Sequence, residues 1–194
     1  TNNSTGTITI YRPANNGILL NAAGANMTNH GTITIRETGL NPNPAVAATG
    51  DGIDARGGAF VNETTGEVYI TRTSANGLNC RNSSGSMTNK GQITIHNVGL
   101  TEENELKEGI WVDFGTFTNT ATGMIWIDTT GNNGIANQGI FNNSGLLSVG
   151  ATTIGNSGLV NLAAFNNQNG GVLEISHTNK DGIFTGGFGG LITN

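Results

Sequence analysis

This sequence has one cysteine and three prolines, and only 11% of its residues are charged. The single Cys80 excludes an internal disulfide framework. No run of 18 apolar residues is present and no signal peptide begins at Thr1, so we expect no insertion into a membrane. The net charge of −5 and the pI near 5.0 argue against a nucleic-acid partner.

In contrast, one sequence pattern recurs along most of the chain. Its clearest copy is residues 134–149, where every second residue from Ile135 is apolar, small or asparagine. Strict alternation places successive side chains on opposite sides of an extended backbone. Seven copies of this pattern, numbered one to seven in chain order, identify a repeat protein.

Aligning the copies produces columns of equivalent residues. The first apolar position holds Ile18, Ile53, Leu78, Ile110, Ile135, Leu159 and Ile183. The large residue of the second segment is Met27, Phe60, Met87, Phe117, Phe141, Phe165 and Phe188. The site two residues before it is always small: Ala25, Gly58, Gly85, Gly115, Gly139, Ala163 and Gly186. The site two residues after it holds Asn29, Asn62, Asn89, Asn119, Asn143 and Asn167, whereas the last copy has Gly190 there.

These columns predict an all-β fold, a parallel β-helix (β-solenoid) of about 7 coils of roughly 24 residues, with three short strands per coil. One coil cannot bury its apolar side chains alone, but coils stacked about 4.8 Å apart can. The asparagine column points inward and is expected to form a ladder of amide hydrogen bonds from coil to coil.

Long loops are expected after coils one and three, at residues 36–50 and 96–108. Residues 101–108 fit either one helical turn or a solvated acidic loop. We expect residues 1–194 to form a single solenoid domain and to be a segment of a longer chain, because neither end shows a recognisable cap.

Catalytic residues are not evident. Asp51, Asp54 and Arg56 form the best charged cluster, which Arg81 and Asp113 extend along one outward column. We interpret this cluster as surface ion pairs between Arg56, Arg81 and Asp113 rather than as a catalytic site.

The remaining reactive side chains do not converge either. His30, His96 and His177 fall in turns with no serine or cysteine partner in register, which argues against a triad or a zinc site. Cys80 lies in an inward column and is expected to be a small buried hydrophobe. We therefore predict no enzyme, no metal and no cofactor.

Large apolar residues at outward positions are the more informative feature. One outward column of the first segment contains Trp111, Ala136, Val160 and Phe184. The third segment contributes Met124, Leu146 and Val172, with Trp126 beside them. Exposed apolar stripes usually mark partner surfaces, so these residues predict self-association into a homo-oligomer, lateral, end-to-end or both. The alternatives are a loop folded over the stripe, or Trp111 and Trp126 as platforms for stacking sugars.

An ice-binding solenoid is a further alternative, because paired threonines on a flat strand are suited to that role. Thr7 and Thr9 are followed in the next coil by Thr32 and Thr34. Thr32 and Thr34 belong to coil one, and the equivalent sites of coil two hold Glu67 and Tyr69, so a regular threonine array is lost after two coils.

The repeat motif Gly-Ile-x-Asn-x-Gly-x-Phe-x-Asn-x-x-Gly-x-Ile-x-Ile resembles the repeats of giant secreted surface proteins of marine Bacteroidota. More distantly, it is similar to the haemagglutinin-type repeats of filamentous adhesins. The resemblance covers nearly all of residues 17–175 and carries no catalytic motif. It implies an exported segment of a cell-surface adhesin or contact filament, used for attachment or prey capture, with any export signal outside the given residues.

Together, these observations predict a structural or adhesive segment of an extracellular filament that associates through its outward apolar columns. A carbohydrate-binding or polysaccharide-degrading β-helix, which contacts glycans at a cell surface, is the first alternative. An ice-binding solenoid is the second.

Overall fold

Three parallel β-sheets form the molecule. The computed structural model describes residues 1–40, 50–99, 107–168, 170–187 and 189–194, and these residues contain no helix. Each sheet has seven strands, and successive strands belong to the three sheets in turn. The described chain therefore winds as a β-solenoid, which confirms the predicted fold class.

Each sheet forms one face of the solenoid. The first face contains β2 (Ile18–Leu20), β5 (Ile53–Ala55), β8 (Leu78–Arg81), β11 (Ile110–Asp113), β14 (Ile135–Asn137), β17 (Leu159–Asn161) and β20 (Ile183–Thr185). The second face contains β3 (Asn26–Asn29), β6 (Ala59–Asn62), β9 (Ser86–Asn89), β12 (Thr116–Asn119), β15 (Ile140–Asn143), β18 (Ala164–Asn167) and β21 (Leu191–Thr193). The third face contains β1 (Thr7–Tyr11), β4 (Thr32–Arg36), β7 (Glu67–Thr71), β10 (Gln92–His96), β13 (Met124–Ile127), β16 (Leu146–Val149) and β19 (Val172–Ile175).

The core lies between the three faces and contains the predicted inward columns. On the third face, Ile93 pairs with Ile125 and Ile95 with Ile127, and all four side chains are buried. Outward neighbours such as Met124 and Trp126 remain partly exposed. The alternation of β-strand side chains thus sorts each strand into a core side and a solvent side.

The asparagine ladder is present and is longer than predicted. Each side-chain Nδ2 donates to the Oδ1 of the equivalent residue in the next coil, at 2.7–2.9 Å, through Asn2, Asn29, Asn62, Asn89, Asn119, Asn143, Asn167 and Asn194. The Nδ2 atoms from Asn2 to Asn167 also donate to backbone carbonyls at the turn. The ladder therefore stabilises the turn between the second and third faces, where glycine carbonyls such as those of Gly31 and Gly66 also accept the backbone N–H of the next coil.

The register predicted for the last coil is wrong by four residues. Leu191 pairs with Ala164 and Ile192 with Phe165, so Ile192 takes the position of the large residue. Gly190 replaces Gly186 at the small site, and Asn194 continues the ladder that Gly190 was expected to break. The segment 186–190 has a glycine pair at each end. Only the register that places Gly190 at the small site brings Asn194 opposite Asn167. Phe188, predicted at this site, lies outside the described residues.

Aromatic rings stack inside the second face. The ring centroids of Phe117 and Phe141 are 4.8 Å apart and those of Phe141 and Phe165 are 5.0 Å apart, so the spacing follows the distance between strands. The small site nearby is sterically required. A Cβ on Gly115 would lie 2.6 Å from the Sγ of Cys80 and 2.8 Å from its carbonyl oxygen.

The two long insertions predicted from the sequence separate β4 from β5 and β10 from β11. Ladder residues are 33 and 30 positions apart across coils one to two and three to four, against 24 in the plainest coils. Most of these loops, residues 41–49 and 100–106, and with them most of the segment 101–108 predicted as a helical turn or acidic loop, lie outside the described residues.

Candidate interaction surfaces

The apolar residues predicted on the third face come together. Met124 pairs with Leu146, and Leu146 with Val172, while Trp126 lies beside Met124 on the same side of β13. Val172 is 45% exposed, and the other three are partly exposed. These four residues are called the third-face patch.

Polar side chains border the third-face patch on the side of the earlier coils. Gln92 and Thr94 precede Met124 and Trp126 in the same two columns. At the other end Val172 lies beside Glu174 on β19, the last strand of this sheet, so the patch reaches the edge of the sheet.

The column predicted on the first face is interrupted. Trp111, Ala136, Val160 and Phe184 are in register, as expected. Phe184 is 46% exposed, but Ala136 is only 8% exposed because its small side chain lies between the larger side chains of Trp111 and Val160. Ala136 therefore cannot contact a partner in the way predicted, whereas Phe184 can.

The charged cluster of the first face differs from the surface pairs expected for it. Asp51 and Asp54 are buried at 1% and 0% exposure. Arg56 Nε donates to Asp54 Oδ2 at 2.6 Å and Arg81 Nη2 to Asp51 Oδ2 at 3.1 Å. The predicted pairing of Arg56 and Arg81 with Asp113 is thus wrong. The two arginines instead contact buried carboxylates, those of Asp54 in β5 and of Asp51 in the loop before it.

Amide groups complete the environment of these buried carboxylates. Asp51 Oδ1 accepts from the backbone N–H and Nδ2 of Asn76, and Asp51 Oδ2 accepts from Asn79 Nδ2. Asn16 Nδ2 donates to Asp54 Oδ2. Burial first, and then the neighbouring Asp51 charge, raises the pKa of Asp54, while Arg56 and Arg81 oppose the shift.

These residues belong to a second turn ladder, which was not predicted from the sequence. Each member precedes a turn glycine. At four positions a side-chain oxygen accepts the backbone N–H of the counterpart in the next coil: Asn16 from Asp51, Asp51 from Asn76, Asn76 from Glu108, and Asn133 from Ser157. The shared feature is a side-chain oxygen before glycine, which alignment by residue type does not detect because Asn, Asp, Glu and Ser all occur in this column.

Glu108 is the acidic member of this turn between Asn76 and Asn133. Its Oε1 accepts from Asn132 Nδ2 at 2.9 Å and from Asn133 Nδ2 at 3.4 Å. Burial raises the pKa of Glu108, and the two amide hydrogen bonds only partly offset this rise.

The histidines and the cysteine have separate surroundings. His96 Nδ1 lies 2.5 Å from Asp128 Oδ2, and His177 Nδ1 contacts the Gly150 carbonyl at 2.7 Å. Cys80 is fully buried in the core, which confirms its interpretation as a small buried hydrophobe, and this burial raises the pKa of its thiol to about 12. The described residues contain no group of three or more His, Cys, Asp or Glu side chains suited to hold a metal ion.

The threonine pairs are in the predicted register. Thr7 and Thr9 lie opposite Thr32 and Thr34 on the third face. The next strand brings Glu67 opposite Thr32 and Tyr69 opposite Thr34, so the paired threonines cover two strands of this face.

Comparison with known proteins returned no matching family model, no matching curated protein and no matching solved structure. In the part of the chain that the structure describes, no helix is long and apolar enough to cross a membrane.

Proposed function

We propose that this solenoid is a structural segment of an extracellular or cell-surface filament, in which copies associate side by side and serve attachment or cell contact. The observation that carries the proposal is the third-face patch, where Met124, Trp126, Leu146 and Val172 are contiguous and partly exposed. Contiguous apolar surface of this kind usually contacts a partner.

A second copy of this chain is the partner that suits the third-face patch. The patch lies on a parallel sheet, and flat sheets pack face to face about 10 Å apart with their side chains interdigitated. Trp126 and Met124 are residue types enriched in the centre of interfaces, where charged residues are depleted. No described loop covers Val172, which is 45% exposed on the last strand of the third face.

The internal hydrogen bonding supports a structural role. The asparagine ladder connects turns from Asn2 to Asn194, and the phenylalanine stack continues through coils four to six. Each coil is held by its neighbours along the whole described length, as expected for a stiff rod. The extracellular location and the adhesive use are supported by the resemblance of the repeats to secreted surface proteins.

The size of the patch sets the expected strength of association. Three strands about 4.8 Å apart, each contributing about four residues at about 3.3 Å, present roughly 200 Å² per copy. A stable interface needs about 800 Å² per partner, so one segment should associate weakly. Many such segments in one filament would add their contacts and bind far more tightly than one.

Glutamate substitutions within the third-face patch test the proposal. We expect Met124→Glu and Trp126→Glu to abolish the concentration-dependent rise in average mass measured by sedimentation velocity. A buried carboxylate without a partner is costly at an interface, whereas the same side chain on a monomer is solvated.

Ile140→Glu is the matched control, because Ile140 is 45% exposed but lies on the second face. It should associate as the parent does. The proposal would be wrong if both patch variants kept the parent's mass distribution while remaining folded by circular dichroism.

A further inference from the structure

The strands of the second face carry no charged residue on their solvent side. One outward column contains Asn26, Ala59, Ser86, Thr116, Ile140, Ala164 and Leu191, and the other contains Thr28, Val61, Thr88, Thr118, Asn142, Asn166 and Thr193. Glu63 and Lys90 follow the ends of β6 and β9 and pair with each other at 3.0 Å. The outward surface of these strands is therefore uncharged along the whole sheet.

The second of these columns is regular in shape. Each of its members is threonine, valine, which has the shape of threonine, or asparagine. Threonine and valine have few rotamers in a strand, so their methyl groups repeat from coil to coil. In the later coils Asn166 Nδ2 donates to Asn142 Oδ1 at 2.9 Å, and Thr193 Oγ1 donates to Asn166 Oδ1 at 3.0 Å, which fixes these side chains.

Unpaired hydroxyl groups lie at the centre of this face. Ser86 and Thr88 of β9 are directly opposite Thr116 and Thr118 of β12, and all four side chains are partly exposed. Within the described residues, none of these four hydroxyl groups has a hydrogen-bond partner. Each can therefore both donate to water and accept from it.

The backbone sets the spacing of these hydroxyl groups. Neighbouring coils are about 4.8 Å apart, and residues on the same side of one strand are about 6.6 Å apart. Oxygen atoms on a prism face of ice repeat at similar distances in two perpendicular directions. Water molecules bound to the hydroxyl groups are thus held in an arrangement close to that of an ice layer, and the methyl groups between them do not compete for their hydrogen bonds.

The properties of the face favour ice over a protein as its partner. Replacing the liquid water around an ionised side chain is costly, and the strands of this face have no such side chain outward. Seven strands about 4.8 Å apart, each with about four residues at about 3.3 Å, present roughly 450 Å². A stable protein interface needs about 800 Å² per partner and is usually anchored by aromatic residues, which neither outward column contains.

We propose that the second face binds ice, through water ordered on the hydroxyl groups of Ser86, Thr88, Thr116 and Thr118. This surface is distinct from the threonine pairs of the third face, which end at Glu67. It also goes beyond the proposed structural role and does not depend on it, because none of these residues belongs to the third-face patch.

Thermal hysteresis, the gap between the melting and freezing temperatures of a seeded solution, tests the proposal. The parent protein should open such a gap, and Thr118→Tyr should lose most of it, because the ring projects from the face and keeps the crystal away from the neighbouring hydroxyl groups. Thr34→Tyr is the matched control, since it makes the same change at a partly exposed threonine of the third face. It should keep the hysteresis of the parent.

Two further variants separate this proposal from self-association. Ile140→Glu places a charge on the second face and should reduce the hysteresis, whereas Met124→Glu should keep the hysteresis and lose the association. Circular dichroism confirms that each variant is folded, and Ile140→Glu replaces Thr118→Tyr if the latter is not. A parent without hysteresis would overturn the proposal, and so would a loss of hysteresis in Thr34→Tyr combined with its retention in folded second-face variants.

Discussion

Asn119 illustrates what one ladder residue does for its surroundings. Its Nδ2 donates to Asn143 Oδ1 at 2.9 Å and to the backbone carbonyls of Leu146 and Gly123 at 3.1 and 3.3 Å. Its own Oδ1 accepts from Asn89. The side chain is fully buried, so no water can replace these hydrogen bonds if it is removed.

Asn119→Ala should therefore lower the free energy of unfolding by about 3 kcal/mol, because several buried polar groups lose their partner together. Chemical denaturation followed by circular dichroism measures the change. Asn194→Ala, at the exposed end of the same ladder, should cost less than about 1 kcal/mol. Equal losses at the two positions would show that the ladder contributes nothing beyond local turn structure.

The buried carboxyl groups of the first face make stability depend on pH in a defined direction. Burial raises the pKa of Asp54 above its ordinary 3.8 and that of Glu108 above its ordinary 4.5. Each raised pKa favours the folded state below the ordinary value, and this contribution is lost as the pH rises through the folded value. Glu37 acts in the opposite direction, because its hydrogen bond with Arg12 lowers its pKa.

Glu108→Gln should reduce the fall in unfolding free energy as the pH rises from about 4 through the folded pKa of Glu108. A glutamine oxygen can still accept from Asn132 and Asn133, while the charge that burial disfavours is absent. The measurement is chemical denaturation at a series of pH values for the parent and the variant. Parallel pH profiles would contradict the assignment of this dependence to Glu108.

At the residue scale, the alternation of side chains along a strand predicted which of them point outward. It did not predict which outward side chains are buried by their neighbours. Asp54 occupies an outward position, as predicted, yet Asn16 and Arg56 cover it completely. Ala136 is likewise outward and buried. Such burial depends on neighbouring columns and on the loop before the first face, neither of which the spacing of repeats specifies.

At the scale of the strand and the coil, each element is stabilised mainly by the elements directly above and below it. Phe141 is fully buried and stacks on Phe117 on one side and on Phe165 on the other. The last coil has only one such neighbour, and its Ile192 is partly exposed. Stability should therefore fall from the centre of the stack towards this end.

Phe141→Ala should cost about 4 kcal/mol in unfolding free energy, because it removes a buried ring and leaves a cavity between two others. Ile192→Ala occupies the same column in the last coil and should cost about 1 kcal/mol, since the site is partly exposed. Chemical denaturation of both variants compares the two sites. Similar losses would mean that the coils do not differ in packing as the structure describes.

Coil recurrence was enough to predict the strands and the inward columns of coils one to six. The prediction failed in the last coil, where Gly186 and Gly190 are equally suited to the small site by residue type. The deciding interaction is the hydrogen bond between Asn167 and Asn194, which is visible only when the coils are stacked. Asn2 was missed for a related reason, because its column is recognised from the first-face and second-face segments of a repeat, and β1 is a strand of the third face.

At the scale of the whole molecule, the solvent sides of the coils differ along the stack. The first face has buried carboxylates and arginines around Asp54 in the early coils, and large apolar residues such as Phe184 in the late ones. The third face changes in the same direction, from Thr32 and Glu67 to Leu146 and Val172. One repeat thus supports two kinds of surface, which is why the fold could be predicted more fully from the sequence than the sites could.

The measurement that tests the account most directly is the native mass by light scattering over a concentration series, with electron microscopy of the same sample. The account predicts a mass that rises with concentration in the parent and rods paired along their sides. The rise should disappear in Trp126→Glu and persist in Ile140→Glu. A parent that remains monomeric at every concentration, with single rods in the images, would contradict side-by-side association through the third-face patch.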